Sequence, residues 1–241
     1  MPSFPDTGIP VTKPSAIFFD NVTHELKTPL TTILGYAEVI QENGFNTDKE
    51  FFEKGISHII NESERLRRMV IDLLELSQVQ NEDTETNFIS LDLSKLLQGT
   101  CEEMQMKANR YNIEIKSNID MGMQVIGDSD KLKQVFINAI DNSIKYGFEN
   151  SLIKVIAENK TGTITITIED VGQGIPENKL QNIFQPFYRA DGLRPKEKGS
   201  KGLGLAISKA IIEKHGGSIS IESKLNVGTK VIIELLESTI Q

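Results

Sequence analysis

The stretch TITITIEDVGQGIP, Thr163–Pro176, alternates isoleucine with threonine over six residues and then breaks into an acidic residue followed by two glycines. Strict period-two alternation describes a strand with one face turned to a core, and the glycines end it in a loop. The same period recurs in IEIKSNI, MQVIGD, LIKVIAE, SISIES and TKVIIEL, all between Ile113 and Leu235. Helical patterns at about Asp92–Arg110, Asp130–Tyr146 and Leu203–His215 are interleaved with them. These strands outnumber the crossovers that a parallel sheet needs. The spacing therefore predicts a mixed sheet covered on one face by helices, an α/β sandwich, rather than a doubly wound fold.

Upstream the pattern changes. Phe18, Val22, Leu26, Leu30, Ile33, Ala37 and Ile40 recur every three or four positions, and Phe52, Ile56, Ile59, Leu66, Val70 and Leu73 do the same after the turn-forming QENGFNTDKE. This predicts a long helical hairpin. Each hairpin leaves part of its apolar stripe uncovered, and two of them packed about a two-fold axis close a four-helix bundle, so a homodimer is expected. The polar run QNEDTETN separates the two patterns, and the opening MPSFPDTGIPVTKP carries four prolines in fourteen residues. The expected organisation is a linker at 1–14, a dimerisation domain at 15–80, an interdomain linker at 81–87 and the α/β domain at 88–241.

Composition narrows the function. A net charge of −8 over 241 residues argues against a duplex-DNA binder, which needs Lys and Arg to neutralise phosphates, so no nucleic-acid partner is expected. One cysteine, Cys101, excludes an internal disulfide and a multi-cysteine zinc site. No run approaches the ~18 apolar residues of a membrane span, so this portion is expected to be cytoplasmic without membrane contact, whatever anchors a longer protein. Two short glycine motifs remain, DVGQGIP and GSKGLGLA. Neither is a Walker loop or a complete dinucleotide fingerprint, and either alone is compatible with a plain turn.

Their order carries more than either motif alone. DKLKQVFINAIDNSIKY, then DVGQGIP, then NIFQPFYR, then GSKGLGLA opening a helix, with NVTHELKTPL far upstream, resembles the N, G1, F, G2 and H boxes of sensor histidine kinases. The resemblance spans nearly all of Ile17–Leu236. It implies a dimeric phosphotransfer bundle joined to an ATP-binding sandwich, autophosphorylation on histidine from ATP with Mg²⁺, and a response regulator as phosphoryl acceptor.

Carried onto this chain, the resemblance puts the metal on Asn142, with Asn138 in support and Lys145 and Tyr146 bordering phosphates and sugar. One amide ligand is enough for Mg²⁺, which keeps its waters and phosphate oxygens. Asp170 would accept a hydrogen bond from the adenine amine, with Gly172, Gly174 and Ile175 beside the base. Phe187 and Arg189 would flank a mobile lid between Ala190 and Gly199, Arg189 reaching the γ-phosphate. Gly202, Leu203, Gly204 and Leu205 would present backbone N–H groups to the phosphates, and Lys201 either adds a phosphate contact or, the favoured reading, faces water. The family has Ala where Ser143 stands, a small-for-small change expected to matter little, and often Thr where Lys201 stands.

The opening helix completes the set. A wheel at 100° per residue turns His24 roughly 160° from the apolar stripe, into solvent. Its neutral imidazole is a nucleophile near pH 7, with Glu25 as the adjacent base. Pro29 cannot donate to the Glu25 carbonyl and is expected to bend the helix there. Thr28 lies one turn from His24, and in the resemblance Glu25 and Thr28 match the E-x-x-T signature of kinases that are also phosphatases. His215, at a helix end before two glycines, is a favourable place for a cation. A gyrase-type ATPase, a serine kinase related to pyruvate dehydrogenase kinase and a non-catalytic ATP-binding scaffold share parts of this pattern. The stimulus, the cognate regulator and the choice between phosphorylation within or between protomers are not written in it.

Overall fold

The computed structural model describes residues 13–43, 48–81, 88–190 and 202–238. The proline-rich opening, most of the interhelical turn and of the polar linker, and the segment 191–201 with Lys201 lie outside them. The chain divides into two compact units, Met1–Val70 and Ile71–Gln241, and the division falls inside the second helix.

In the first unit, helix α1 (Lys13–Asn43) runs through Pro29 without a break, and α2 (Lys49–Gln80) returns against it. Asp48 starts α2 by accepting the Phe51 N–H at 3.1 Å on its carboxylate. Near the turn the two helices meet closely. Tyr36 stacks on His58 at 4.8 Å, and a Cβ on Gly55 would sit 3.0 Å from the Ile40 side chain. The apolar stripes stay half open: Leu30 is 50% exposed, Leu34 51%, Ile60 56% and Val70 47%.

In the second unit, β1 (Ile89–Asp92), α3 (Leu93–Ala108), β2 (Glu114–Ile119), β3 (Gln124–Gly127), α4 (Ser129–Tyr146), β4 (Leu152–Lys160), β5 (Thr163–Asp170), α5 (Glu177–Leu180), α6 (Gly204–Lys214), β6 (Ser218–Lys224) and β7 (Gly228–Leu236) follow in order. Five strands form one sheet in the order β2-β4-β5-β7-β6, and β1 pairs with β3 in a separate ribbon. Only β2 and β4 pair in parallel; the other pairs of the large sheet are antiparallel.

Alternation decides which face is buried. Ile164, Ile166 and Ile168 are fully buried, and Ala157, Ile166 and Ile233 stand in one cross-strand row. That face is covered by α3, α4 and α6, with α4 packed against both of its neighbours. Leu132, Val135, Phe136, Ile140 and Ile144 of α4 are all at 0% exposure, and truncating a residue such as Phe136 to Ala costs about 3–5 kcal/mol. Asp128 caps α4 by accepting the Asp130 and Lys131 N–H groups at 3.0 and 3.1 Å, worth about 1 kcal/mol. With α4 fixed on the sheet, its C-terminal end lies beside the open end of β5, joined by a bridge between Gly147 and Gly172.

Candidate functional site

At the end of β5, Asp170 is 7% exposed. Its Oδ1 accepts the Thr229 N–H at 3.3 Å, and the Ser143 hydroxyl of α4 also donates to the carboxylate. Burial drives the carboxyl up to about 7, and Glu169 adds to the rise, while the Thr229 and Ser143 bonds favour the ionised form. Ser143 is itself buried at 2%, so the change from Ala expected to matter little supplies a donor to the key carboxylate. A buried acceptor at the mouth of a sheet reads a donor on a flat ligand edge.

The glycines around Asp170 are also required by close backbone packing. A Cβ on Gly172 would meet the Tyr146 carbonyl at 2.6 Å and Asp170 Oδ1 at 2.8 Å, so glycine here keeps the carboxylate clear and lets β5 approach the end of α4. Gly174, at φ +63°, would strike the Lys224 carbonyl at 2.0 Å. In the direction of that Cβ lies the backbone of Lys224 and Leu225, at the β6–β7 turn. Ile175 packs with Ile183 and Ala190 and donates its N–H to Ser223 Oγ at 2.8 Å.

Along α4, Asn138, Asn142 and Lys145 share a face, as their spacing requires. The Asn142 carboxamide is half-buried, and no partner approaches it among the described residues. Asn138 instead braces α6, its Nδ2 donating to the Gly204 carbonyl and to Ser208 Oγ, each at 3.4 Å. Lys145 pairs with Asp141, which Lys107 of α3 also holds at 2.7 Å, so a phosphate would draw Lys145 from an existing ion pair. Tyr146 is half-buried, and its carbonyl accepts the Gln173 N–H at 3.0 Å. Among the described residues no group of three His, Cys, Asp or Glu side chains could hold a metal. Asn142 with phosphate oxygens suits Mg²⁺, which takes few protein ligands.

Across from this face, α6 begins at Gly204 with no side-chain cap, which leaves first-turn N–H groups for an anion. Leu203 is 1% exposed, so the whole residue is buried beneath the helix start, and Leu205 packs against the Ile175 cluster. The Phe187 N–H donates to the Gly202 carbonyl at 2.8 Å, and both residues have positive φ. Phe187 is buried, while Arg189 is exposed and pairs with no carboxylate among the described residues.

On the hairpin, His24 is exposed and Glu25 half-buried. Thr28 Oγ1 donates to the His24 carbonyl at 3.2 Å, and Thr31 and Thr32 make the same backward bond to Lys27 and Thr28. Glu25 Oε2 accepts from Arg65 Nη2 of α2 at 3.3 Å. His215 departs from the sequence expectation of a cation. Its Nε2 accepts the Asp128 N–H at 3.0 Å, Nδ1 faces the Ile211 carbonyl at 2.7 Å and the ring stacks on Phe88. Burial lowers its pKa and keeps the ring neutral.

Two family matches fall on these two regions. Residues 16–82 match the His Kinase A (phospho-acceptor) domain, and residues 127–239 match the histidine kinase-, DNA gyrase B- and HSP90-like ATPase family. Together they make up the catalytic core of a sensor histidine kinase. The chain is 37% identical over 220 residues to sensor protein kinase WalK of Staphylococcus aureus, covering 90% of this chain and 52% of that protein. It therefore spans about half the length of that curated relative, and less of others. Among solved structures, Acinetobacter baumannii histidine kinase AdeS matches at TM-score 0.71 and 25% identity, over 90% of this chain and 98% of that one. Histidine kinase ThkA, solved in complex with response regulator protein TrrA, matches at TM-score 0.71 and 28% identity, over 92% of this chain and 61% of that one. Among the described residues of the chain no helix is long and apolar enough to cross a membrane.

Proposed function

We propose that this chain, as a homodimer, autophosphorylates His24 from Mg-ATP and passes the phosphoryl group to an aspartate of a response regulator. One observation carries the reading: an exposed histidine beside a carboxylate on a half-covered helical hairpin, in the same chain as a buried carboxyl at the end of a strand. The exposed apolar residues Leu30, Leu34 and Ile60 supply the seam for a second hairpin.

Asp170 accepts from the adenine amine and meets the guanine carbonyl acceptor to acceptor, at a cost of about 1–3 kcal/mol that selects ATP. The uncapped start of α6 receives phosphate oxygens, and Arg189 neutralises the γ-phosphate. Asn142 would hold Mg²⁺, whose charge, when it is bound, offsets that of the phosphates. A ring nitrogen of His24 attacks the γ-phosphorus and the bond to the β,γ-bridging oxygen breaks. ADP leaves, and the proton on the other ring nitrogen passes to Glu25. Thr28, released from the His24 carbonyl, orients water for dephosphorylation of the regulator.

Incubation with γ-labelled ATP tests the chemistry. The label is expected to be acid-labile and alkali-stable, and to be lost to an added receiver domain. An acid-stable label would mean a hydroxyl acceptor and would remove the proposal.

A further inference from the structure

Glu25 is not a free carboxylate. Arg65, forty positions away on the returning helix, places Nη2 at 3.3 Å from Glu25 Oε2 and Nη1 at 3.3 Å from Glu62 Oε2. The three side chains are 26%, 32% and 25% exposed, so water screens the pairs only in part. The third nitrogen of the guanidinium, Nε, is buried without a hydrogen-bond partner among the described residues. An arginine on a helix surface normally turns such a donor to water, because an unmade bond on a buried polar group is costly. Here the head group leaves Nε unmatched and directs both terminal nitrogens at carboxylates. Its orientation is set by Glu25 and Glu62.

Of those two carboxylates, Glu25 adjoins His24. An α1 carboxylate left to itself samples several rotamers, and a general base works only when its oxygen lies within hydrogen-bond reach of the proton it takes. A planar fork anchored on α2 removes much of that freedom, and a lysine, one charge on a flexible stem, cannot reproduce it. We propose that Arg65 is a positioning residue for the phosphorylation of His24, acting through Glu25 by holding its carboxylate in one orientation across the hairpin. This rests on the reading of His24 as phosphoacceptor and Glu25 as its base.

The test is a cycle of Arg65→Gln, Glu25→Gln and the double variant in the full chain, reading the initial rate of His24 labelling against ATP concentration. Arg65→Gln is expected to lower kcat about tenfold, part of the 10²–10⁴ that a positioned base supplies, while KM for ATP stays within about twofold. In the Glu25→Gln background the same change should alter kcat less than about twofold, because its route to the histidine is already gone. Arg65→Lys should fall between wild type and Arg65→Gln, and run in both backgrounds it replaces Arg65→Gln if that variant does not fold by circular dichroism. Equal losses in both backgrounds would make Arg65 a structural residue and overturn the inference, as would an unchanged kcat in Arg65→Gln or in Glu25→Gln. A separate control keeps the two readings apart: His24→Gln labelled at the wild-type rate removes the phosphoacceptor itself, whereas loss of label there with no Arg65 coupling removes only this proposal.

Discussion

Replacing Asp170 with Asn should make the ATP-free protein more stable while disabling the nucleotide site. The carboxyl sits at about 7 in the fold against 3.8 in the unfolded chain, chiefly because burial disfavours its charge. The folded-state value lies above the unfolded one, so the fold holds more protons between the two. The associated stability is present below pH 3.8 and lost as pH rises through 7. A difference of about three units at 1.36 kcal/mol each puts the burden of the buried charge at about 4 kcal/mol at pH 8. Asn keeps an acceptor for the Thr229 N–H but pairs less well with it, so a net gain of about 1–3 kcal/mol is expected, or about 2–4 °C in Tm per kcal/mol. With its oxygen on Thr229, the carboxamide turns its NH₂ toward the adenine amine, donor against donor. ATP binding should then weaken by roughly 5- to 150-fold. Denaturation of the ATP-free protein at pH 8 and pH 5, with calorimetric titration of ATP at pH 8, measures both effects. The stability advantage should shrink at pH 5, where the wild-type carboxyl is largely protonated. A variant less stable than wild type at pH 8, or one that binds ATP unchanged, would refute this account of Asp170.

Three further outcomes follow from the same geometry. Gly174→Ala, with a Cβ 2.0 Å from the Lys224 carbonyl at φ +63°, should cost at least about 2 kcal/mol; Gly216→Ala, at φ +69° in open space, should cost about 1, as paired urea denaturations will show. His215 is held neutral with a lowered pKa, so its stability contribution is complete above 6.5 and lost as pH falls from there toward the folded value; thermal melts from pH 7.5 to 5 should slope accordingly, and His215→Phe should lose that component. Thr28→Ala removes a weak bond to the His24 carbonyl; it should retain autophosphorylation within about twofold while slowing dephosphorylation of a cognate regulator about tenfold, and parallel losses would return Thr28 to a backbone role.

Much of the architecture was legible because local pattern and burial agree. The alternation of Ile164, Ile166 and Ile168 fixed both the strand and its buried face, and the 3.6-residue period located α4 to within one residue of its observed start. The four-residue β1 was missed, since so short a strand shows too little alternation to register and is recognised only through its pairing with β3. The misreadings at the site share a cause: side chains whose partners are distant in sequence. His215 looked like a helix-end cation because its donor, the Asp128 N–H, lies 87 positions upstream. The packing need for Gly174 gave no signal because the Lys224 backbone that crowds it comes from another hairpin. Arg65 gave no signal at all, being one of three arginines in ERLRRM, where spacing shows only the local pairs with Glu62 and Glu64. An i,i+27 neighbour such as Ser143 of Asp170 is equally invisible to periodicity, and only a small residue beside the Asn142 position hinted at the close packing there.

The central claim, that this chain moves the γ-phosphoryl group of ATP onto one exposed imidazole, is tested most directly by locating the modification. Protein incubated with Mg-ATP, digested at neutral to alkaline pH and sequenced by mass spectrometry should carry a single phosphoryl group, on the His24 peptide, absent from His24→Gln and reduced in Asp170→Asn at limiting ATP. Phosphate on His58, on His215 or on a hydroxyl side chain, at the wild-type level in His24→Gln, would contradict it.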